Sequence, residues 1–185
     1  MIRLLDVVFS LAGLIIGLPM LVVLYVLGLS DTGSPLFCQD RVGRNRQRFT
    51  LVKFRTMRID TASVASHLAN SSSITRLGRF LRRTKLDEWP QLWNVLKGEM
   101  SLVGPRPCLF NQEELIAERG SRGVLAARPG ITGLAQVNGI DMSTPILLAE
   151  TDQKMLEKLT VGAYFTYIFM TVAGKGAGDR VPGKD

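Results

Sequence analysis

The chain has 185 residues, 46% of them apolar, and a formal charge of +7. That is enough for one domain with a real core and too little for two. The only cysteines, Cys38 and Cys108, lie far apart with no second Cys or His at ligand spacing, which argues against a disulfide or zinc framework. The charge is uneven: from Asp40 to Lys85, twelve Lys or Arg stand against only Asp40 and Asp60. Such a block calls for an anionic partner, whether nucleic acid, a phosphorylated substrate or an acidic lipid surface.

In chain order, residues 7–29 come first, and none of them is charged. As a straight helix they extend roughly 35 Å at about 1.5 Å per residue, enough to cross a hydrocarbon core. A signal peptide fits worse, because the run is long for an h-region and no small-x-small cleavage site follows. Two features argue against a plain span. Pro19 falls near the middle, where it removes a helix hydrogen bond and favours a kink. Basic residues also flank both ends, Arg3 before the run and Arg41, Arg44, Arg46 and Arg48 after it. The positive-inside rule puts the C-terminal side in the cytoplasm, and Arg3 adds a weaker vote for that side. A single span and a kinked hairpin both stay open on these grounds.

Residues 30–35 are a turn-rich exit, and residues 48–57 alternate apolar and polar as a short strand does. Residues 59–73 read as a polar, mobile loop that holds the lone histidine, His67, in solvent. Residues 74–83 place Ile74, Leu77 and Leu81 on one helical face with arginines around the rest. That basic amphipathic helix suits a membrane interface or, equally, a core-facing position with a solvated basic side. Further helices are expected at 91–97, stopped by Gly98, at 112–118 and over 147–173, where the aromatics Tyr164, Phe165, Tyr167 and Phe169 serve either an interface or the core. Residues 128–133 read as turn chemistry, and the tail from Gly174 as loose.

Chemistry concentrates in two short stretches. Asp87 and Glu88 are consecutive, so on a helix they diverge by roughly 100° and cannot share a proton face to face. Pro90 is tolerated only in a first helical turn, which puts Asp87 at the N-cap or just inside it. There the helix dipole and the cations Arg82, Arg83 and Lys85 favour an ionised carboxylate, suited to attack phosphorus or to hold Mg²⁺. The bland reading of the same pair is a helix cap. Arg106 lies between Pro105 and Pro107, which hold it extended as a guanidinium fork for phosphate. The alternative there is a pairing with a core carboxylate. Lys53, Arg55, Arg82 and Arg128 are further candidate phosphate ligands. No Walker loop, GxGxxG or acyl-transfer triad pattern is present.

Five blocks occur in order: Phe54-Arg55-Thr56-Met57, Leu86-Asp87-Glu88-Trp89-Pro90-Gln91-Leu92, Asn94-Val95-Leu96-Lys97-Gly98, Met100-Ser101-Leu102-Val103-Gly104-Pro105-Arg106-Pro107 and Arg128-Pro129-Gly130-Ile131-Thr132-Gly133-Leu134-Ala135-Gln136-Val137. In them the chain resembles the monotopic phosphoglycosyl transferases, the bacterial sugar transferase family, in its minimal catalytic form. The resemblance runs from about residue 1 to Gln136, with a fainter tail to Val181. It implies a mostly helical, membrane-embedded α/β enzyme on the cytoplasmic face of the bacterial inner membrane. The expected layout is a re-entrant helix over 1–30 broken near Pro19, a catalytic domain over 31–173 with interfacial amphipathic helices, and a flexible tail over 174–185.

The reaction it implies moves a sugar-1-phosphate from a UDP-sugar to undecaprenyl phosphate and releases UMP, as the first membrane step of glycoconjugate biosynthesis. Asp87 would be the covalent nucleophile, Glu88 its helper, and Mg²⁺ would lie near Asp87. Lys53, Arg82, Arg106, Arg128, Gln136 and Asp152 are the substrate-binding candidates, Asp152 through a matching acidic position. The sugar suggested by the minimal members is an N-acetylated amino sugar, with a hexose as alternative. Two departures stand out: Leu18 precedes the helix-breaking proline where many relatives have Ser, and the segment after Asp152 differs from the usual C-terminal helix. The competing reading from another class is a non-catalytic, basic membrane-surface module. Nucleic acid ranks below both, because few aromatics accompany the basic block.

Overall fold

The uncharged run folds as part of one helix, α1 (Ile2–Thr32), which ends where Gly33 takes a left-handed conformation at φ 74°. The computed structural model describes residues 1–61 and 71–176. Residues 62–70 of the loop expected over 59–73, His67 among them, and the tail beyond 176 lie outside the described residues. By length and composition α1 is sufficient to cross a membrane. Its backbone stays helical through Pro19, so the expected break does not end the helix. A proline bends a helix locally while the turns on either side keep their own hydrogen bonds.

After α1, strands β1 (Leu36–Val42) and β2 (Arg48–Phe54) form an antiparallel hairpin in register from Leu36↔Phe54 to Val42↔Arg48. The strand expected over 48–57 stops at Phe54, and Met57 instead makes an isolated bridge to Ile74. Ile74 therefore lies outside α2 (Arg76–Thr84), whose N-cap is Thr75. The expected apolar stripe shrinks to Leu77 and Leu81, which pack inward against Leu24 of α1 and Phe54 of β2. Helix α3 (Gln91–Lys97) runs as the spacing predicts, and its C-cap Gly98 sits at φ 86°.

A second pairing joins β3 (Ser101–Val103) and β4 (Gly130–Thr132) in parallel, Ser101↔Gly130 and Val103↔Thr132. The turn expected over 128–133 is thus corrected to a short strand. Three residues carry no readable periodicity, and the partner that satisfies them lies some thirty residues earlier in the chain. Beyond the strand ends the chains touch: a Cβ on Gly130 would come within 2.0 Å of the Gly104 nitrogen. The remaining helices are α4 (Glu113–Ser121), α5 (Leu134–Val137), α6 (Pro145–Glu157) and α7 (Val161–Val172). What reads as one helical stretch over 147–173 is two, because Thr160 starts a new helix by accepting from the Ala163 amide.

The buried clusters explain how α1 sits. Leu24 packs with Phe54 and Leu81, while Ile2 and Leu5 pack with Val103, Met155 and Tyr164. Between these contacts, a Cβ on Gly17 would lie 2.1 Å from the Trp89 ring, so only glycine lets the helix seat there. One side of α1 therefore rests on the rest of the fold along its length, while Val8, Leu11, Ile15, Ile16, Val22 and Val26 remain exposed on the other.

Candidate active site

Asp87 and Glu88 occupy a one-turn 3₁₀ segment, Leu86–Glu88, between α2 and α3. Both are buried. Pro90 holds the N-cap position of α3, so the expected placement of Asp87 at that cap is corrected by one turn. A proline there lets the preceding 3₁₀ turn run straight into the helix, since its missing N–H has no intrahelical partner. Lys85, just before the turn, takes a left-handed conformation at φ 58°. This bend ends α2 and redirects the chain into the carboxylates. Its ammonium donates to the carbonyls of Thr171 (3.4 Å) and Lys175 (2.9 Å), at the end of α7. Burial lowers the Lys85 pKa, the Glu88 carboxylate pulls it back up, and Arg106 lowers it further.

Arg106 reaches the same turn from the other side. Its Nη2 donates to Glu88 Oε1 at 3.0 Å, in a pair that keeps some solvent contact. Of the two sequence readings of Arg106, the one seen is the pairing with a buried carboxylate. Behind it, Arg119 Nη1 donates to the Arg106 carbonyl at 2.8 Å. The rest of that guanidinium is bound to Asp152, through Nε at 2.9 Å and Nη2 at 2.7 Å to the same oxygen, Oδ2. Arg119 and Asp152 are both fully enclosed. Burial pushes the Asp152 carboxyl pKa up, against the opposing pull of Arg119, and among the described residues its Oδ1 has no hydrogen-bond partner. Asp152 is thus linked to the Asp87-Glu88 turn through Arg119 and the Arg106 backbone.

The other sequence candidates are spread around this centre. Arg82 Nε donates to Thr56 Oγ1 at 2.8 Å, which ties the Phe54-Arg55-Thr56-Met57 block to α2 ahead of the dyad. Lys53 is buried on β2, with its ammonium over the Phe37 ring. Gln136 on α5 donates to the Gly104 carbonyl at 3.4 Å, and its buried Oε1 has no partner among the described residues. Arg128 is held elsewhere: its Nε donates to the Gly98 carbonyl at 2.8 Å, at the end of α3 opposite the dyad. Pro19 lies in α1 two residues beyond Gly17, the residue seated on Trp89, which follows the Asp87-Glu88 turn.

Sequence reading missed Arg119 and Asp6. Arg119 pairs across 33 residues, a separation that leaves no local pattern. Asp6 had a signal, a carboxylate at the head of an apolar helix, and it is buried with three donors around it. Among the described residues no group of three or more His, Cys, Asp or Glu forms a metal cage. The Asp87-Glu88 donor set instead fits a cation such as Mg²⁺ that takes one or two carboxylates and completes its shell with substrate phosphates and water.

The chain is similar to several known proteins. The bacterial sugar transferase family matches residues 1–175. An uncharacterized sugar transferase of Haemophilus influenzae is 40% identical over 164 residues, covering 78% of this chain and 35% of that protein. The undecaprenyl-phosphate galactose phosphotransferase of Salmonella typhimurium is 39% identical over 154 residues, with 74% and 32% covered. The exopolysaccharide production protein PSS of Rhizobium leguminosarum bv. phaseoli is 42% identical over 149 residues, with 75% and 74% covered. The chain thus spans about a third of the length of the first two relatives.

Proposed function

The chain belongs to the bacterial sugar transferase family, and on that premise we propose that it transfers a sugar-1-phosphate from a UDP-sugar to undecaprenyl phosphate, with release of UMP. The observation that carries the reading is the buried Asp87-Glu88 turn, pinned by Arg106 and seated through Trp89 on the apolar helix α1. On this reading the proposed phosphate chemistry lies beside a helix long and apolar enough to cross a membrane. The relatives' names point the same way, one to an undecaprenyl-phosphate acceptor and one to exopolysaccharide production.

In the proposed mechanism an Asp87 carboxylate oxygen attacks the phosphorus that carries the sugar. The bond from that phosphorus to the bridging oxygen breaks, and UMP departs with the oxygen. A phosphate oxygen of the lipid then attacks the same phosphorus and restores Asp87. Splitting the transfer into two displacements lets the lipid phosphate meet a phosphosugar ester after UMP has left, in place of the more highly charged diphosphate donor. Glu88, held by Arg106, serves as the fixed partner that orients the turn and handles protons. Arg106, Arg82 and Lys53 supply positive charge for the diphosphate. Mg²⁺, held by Asp87 and the substrate's own phosphates, would supply further charge neutralisation.

The membrane arrangement we propose is re-entrant, with both ends of α1 on the cytoplasmic face. It is supported by the contacts of Ile2 and Leu5 near one end and Leu24 near the other with a single catalytic domain. The exposed Phe165, Phe169 and Val172 on α7 extend the apolar surface of α1 and suit an interfacial position. Incubating the purified protein with undecaprenyl phosphate and a panel of UDP-sugars, N-acetylated and hexose, tests the function by UMP release. Intact mass measured after UDP-sugar alone should show a sugar phosphate added to the wild type and absent from Asp87→Asn. Rapid quenching that never traps the adduct, with initial rates that demand a ternary complex, would make Asp87 a metal ligand or base. No UMP with any donor would return the chain to a binding role.

A further inference from the structure

A carboxylate near the head of an apolar membrane helix is costly to bury without partners. Asp6 is 2% exposed. Its Oδ1 accepts three hydrogen bonds: from Ser101 Oγ at 3.0 Å, from the Leu102 amide at 3.0 Å and from Tyr164 Oη at 2.9 Å. These donors belong to β3 and α7, so one side chain joins three separate elements. One turn earlier, Arg3 donates to the carbonyls of Val95 (2.6 Å) and Leu96 (2.9 Å), which closes the C-terminal end of α3. The Tyr164 phenol is pushed up by burial and by the neighbouring carboxylate, so it stays protonated and remains a donor.

We infer that Asp6 is a positioning residue that docks the N-terminal end of α1 onto the catalytic domain, and that this docking, more than flanking charge, keeps both ends of the helix on one side of the membrane. The inference rests on the re-entrant reading above and adds what enforces it. At the other end, Thr75 Oγ1 donates to Asp31 at 2.6 Å and Leu24 is buried, so that end is held independently. Only the N-terminal end needs a device to stop the helix from crossing, because the run is long enough to span. The strand held by Asp6 also leads within three residues to Gly104-Pro105-Arg106, so the same bonds steady the arm that reaches Glu88.

Flanking charge and docking predict opposite results for Asp6→Leu. Removing an acid leaves the N-terminal flank more basic, which by the positive-inside rule holds it more firmly in the cytoplasm. Loss of the docking bonds releases it. The test uses the full-length chain in intact cells, with Cys38→Ser and a cysteine inserted after Met1, read with a membrane-impermeant maleimide. We expect external labelling at background in the otherwise unchanged chain and raised on the order of tenfold in Asp6→Leu, since one charge-assisted bond is worth about that factor in a two-state ratio. The pair Ser101→Ala with Tyr164→Phe leaves α1 and its flanking charges untouched and should raise labelling too, whereas Asp6→Asn, which keeps an acceptor oxygen, should stay near background. Background labelling in both Asp6→Leu and the Ser101/Tyr164 pair would overturn the inference. External labelling of the otherwise unchanged chain would overturn the re-entrant reading itself, before any variant is compared.

Discussion

Two arginine–carboxylate pairs stand back to back in this molecule and do different work. Arg106–Glu88 keeps side-chain exposures of 25% and 11%, whereas Arg119–Asp152 is sealed at 3% and 0%. The first stays open to solvent, as the phosphate role proposed for Arg106 requires. The second is closed off, and through the Arg106 carbonyl it holds the first in place. Identical chemistry thus differs in what it can do according to its access to solvent.

The largest effect should come from Arg119→Ala. It leaves Asp152 buried without its partner, a change that costs about 3–5 kcal/mol. Thermal unfolding in detergent should show a clear loss of stability. The double change Arg119→Met with Asp152→Leu should recover much of it, because an apolar pair leaves no orphaned charge. A double variant as unstable as Arg119→Ala would mean that the bond to the Arg106 carbonyl, and not the ion pair, carries the stability.

Arg106→Lys should behave in the opposite way. Unfolding should shift little, while kcat/KM falls on the order of tenfold or more, from losing one charge-assisted bond of about 1.5–3 kcal/mol. An unchanged kcat/KM would reduce Arg106 to generic charge. Glu88→Gln should have a smaller effect still, since the amide oxygen can accept from Arg106. Turnover should slow while the sugar-phosphate adduct on Asp87 stays detectable by intact mass. Complete loss of the adduct would show that Glu88 is required for the first displacement.

The subtlest difference lies in pH. The Asp152 pKa is raised in the fold, chiefly by burial, so its proton is bound more tightly folded than unfolded. Its contribution to stability is full below the ordinary carboxylate pKa, about 3.9, and is lost as pH rises through the folded value. The stability of the wild type relative to Asp152→Asn should therefore be greatest at acid pH and decline as pH rises. A difference that grows with pH would mean that the pull of Arg119 outweighs burial.

Much of the site was legible because its parts are local. The spacing of Gln91 to Lys97 with Gly98 defined α3 to the residue, and the Asp-Glu pair ahead of Pro90 marked the turn. Arg106 between two prolines announced a presented guanidinium, though its partner could not be read from spacing. Arg128 looked equivalent, yet it caps α3 at the far end from the dyad. Charge and proximity in sequence do not say which carbonyl or carboxylate a long side chain will meet.

The sequence by itself determined the apolar helix, the basic character, the Asp87-Glu88 turn and the family, because each depends on neighbouring residues or on ordered blocks. Only the tertiary structure decided that β4 is a strand, that Arg119 and Asp152 form a sealed support, and that Asp6 is a docking point for α1. Each of these joins segments about 29 to 158 residues apart. Their stabilisation comes from burying polar groups with partners, and burial exists only once the chain has closed on itself.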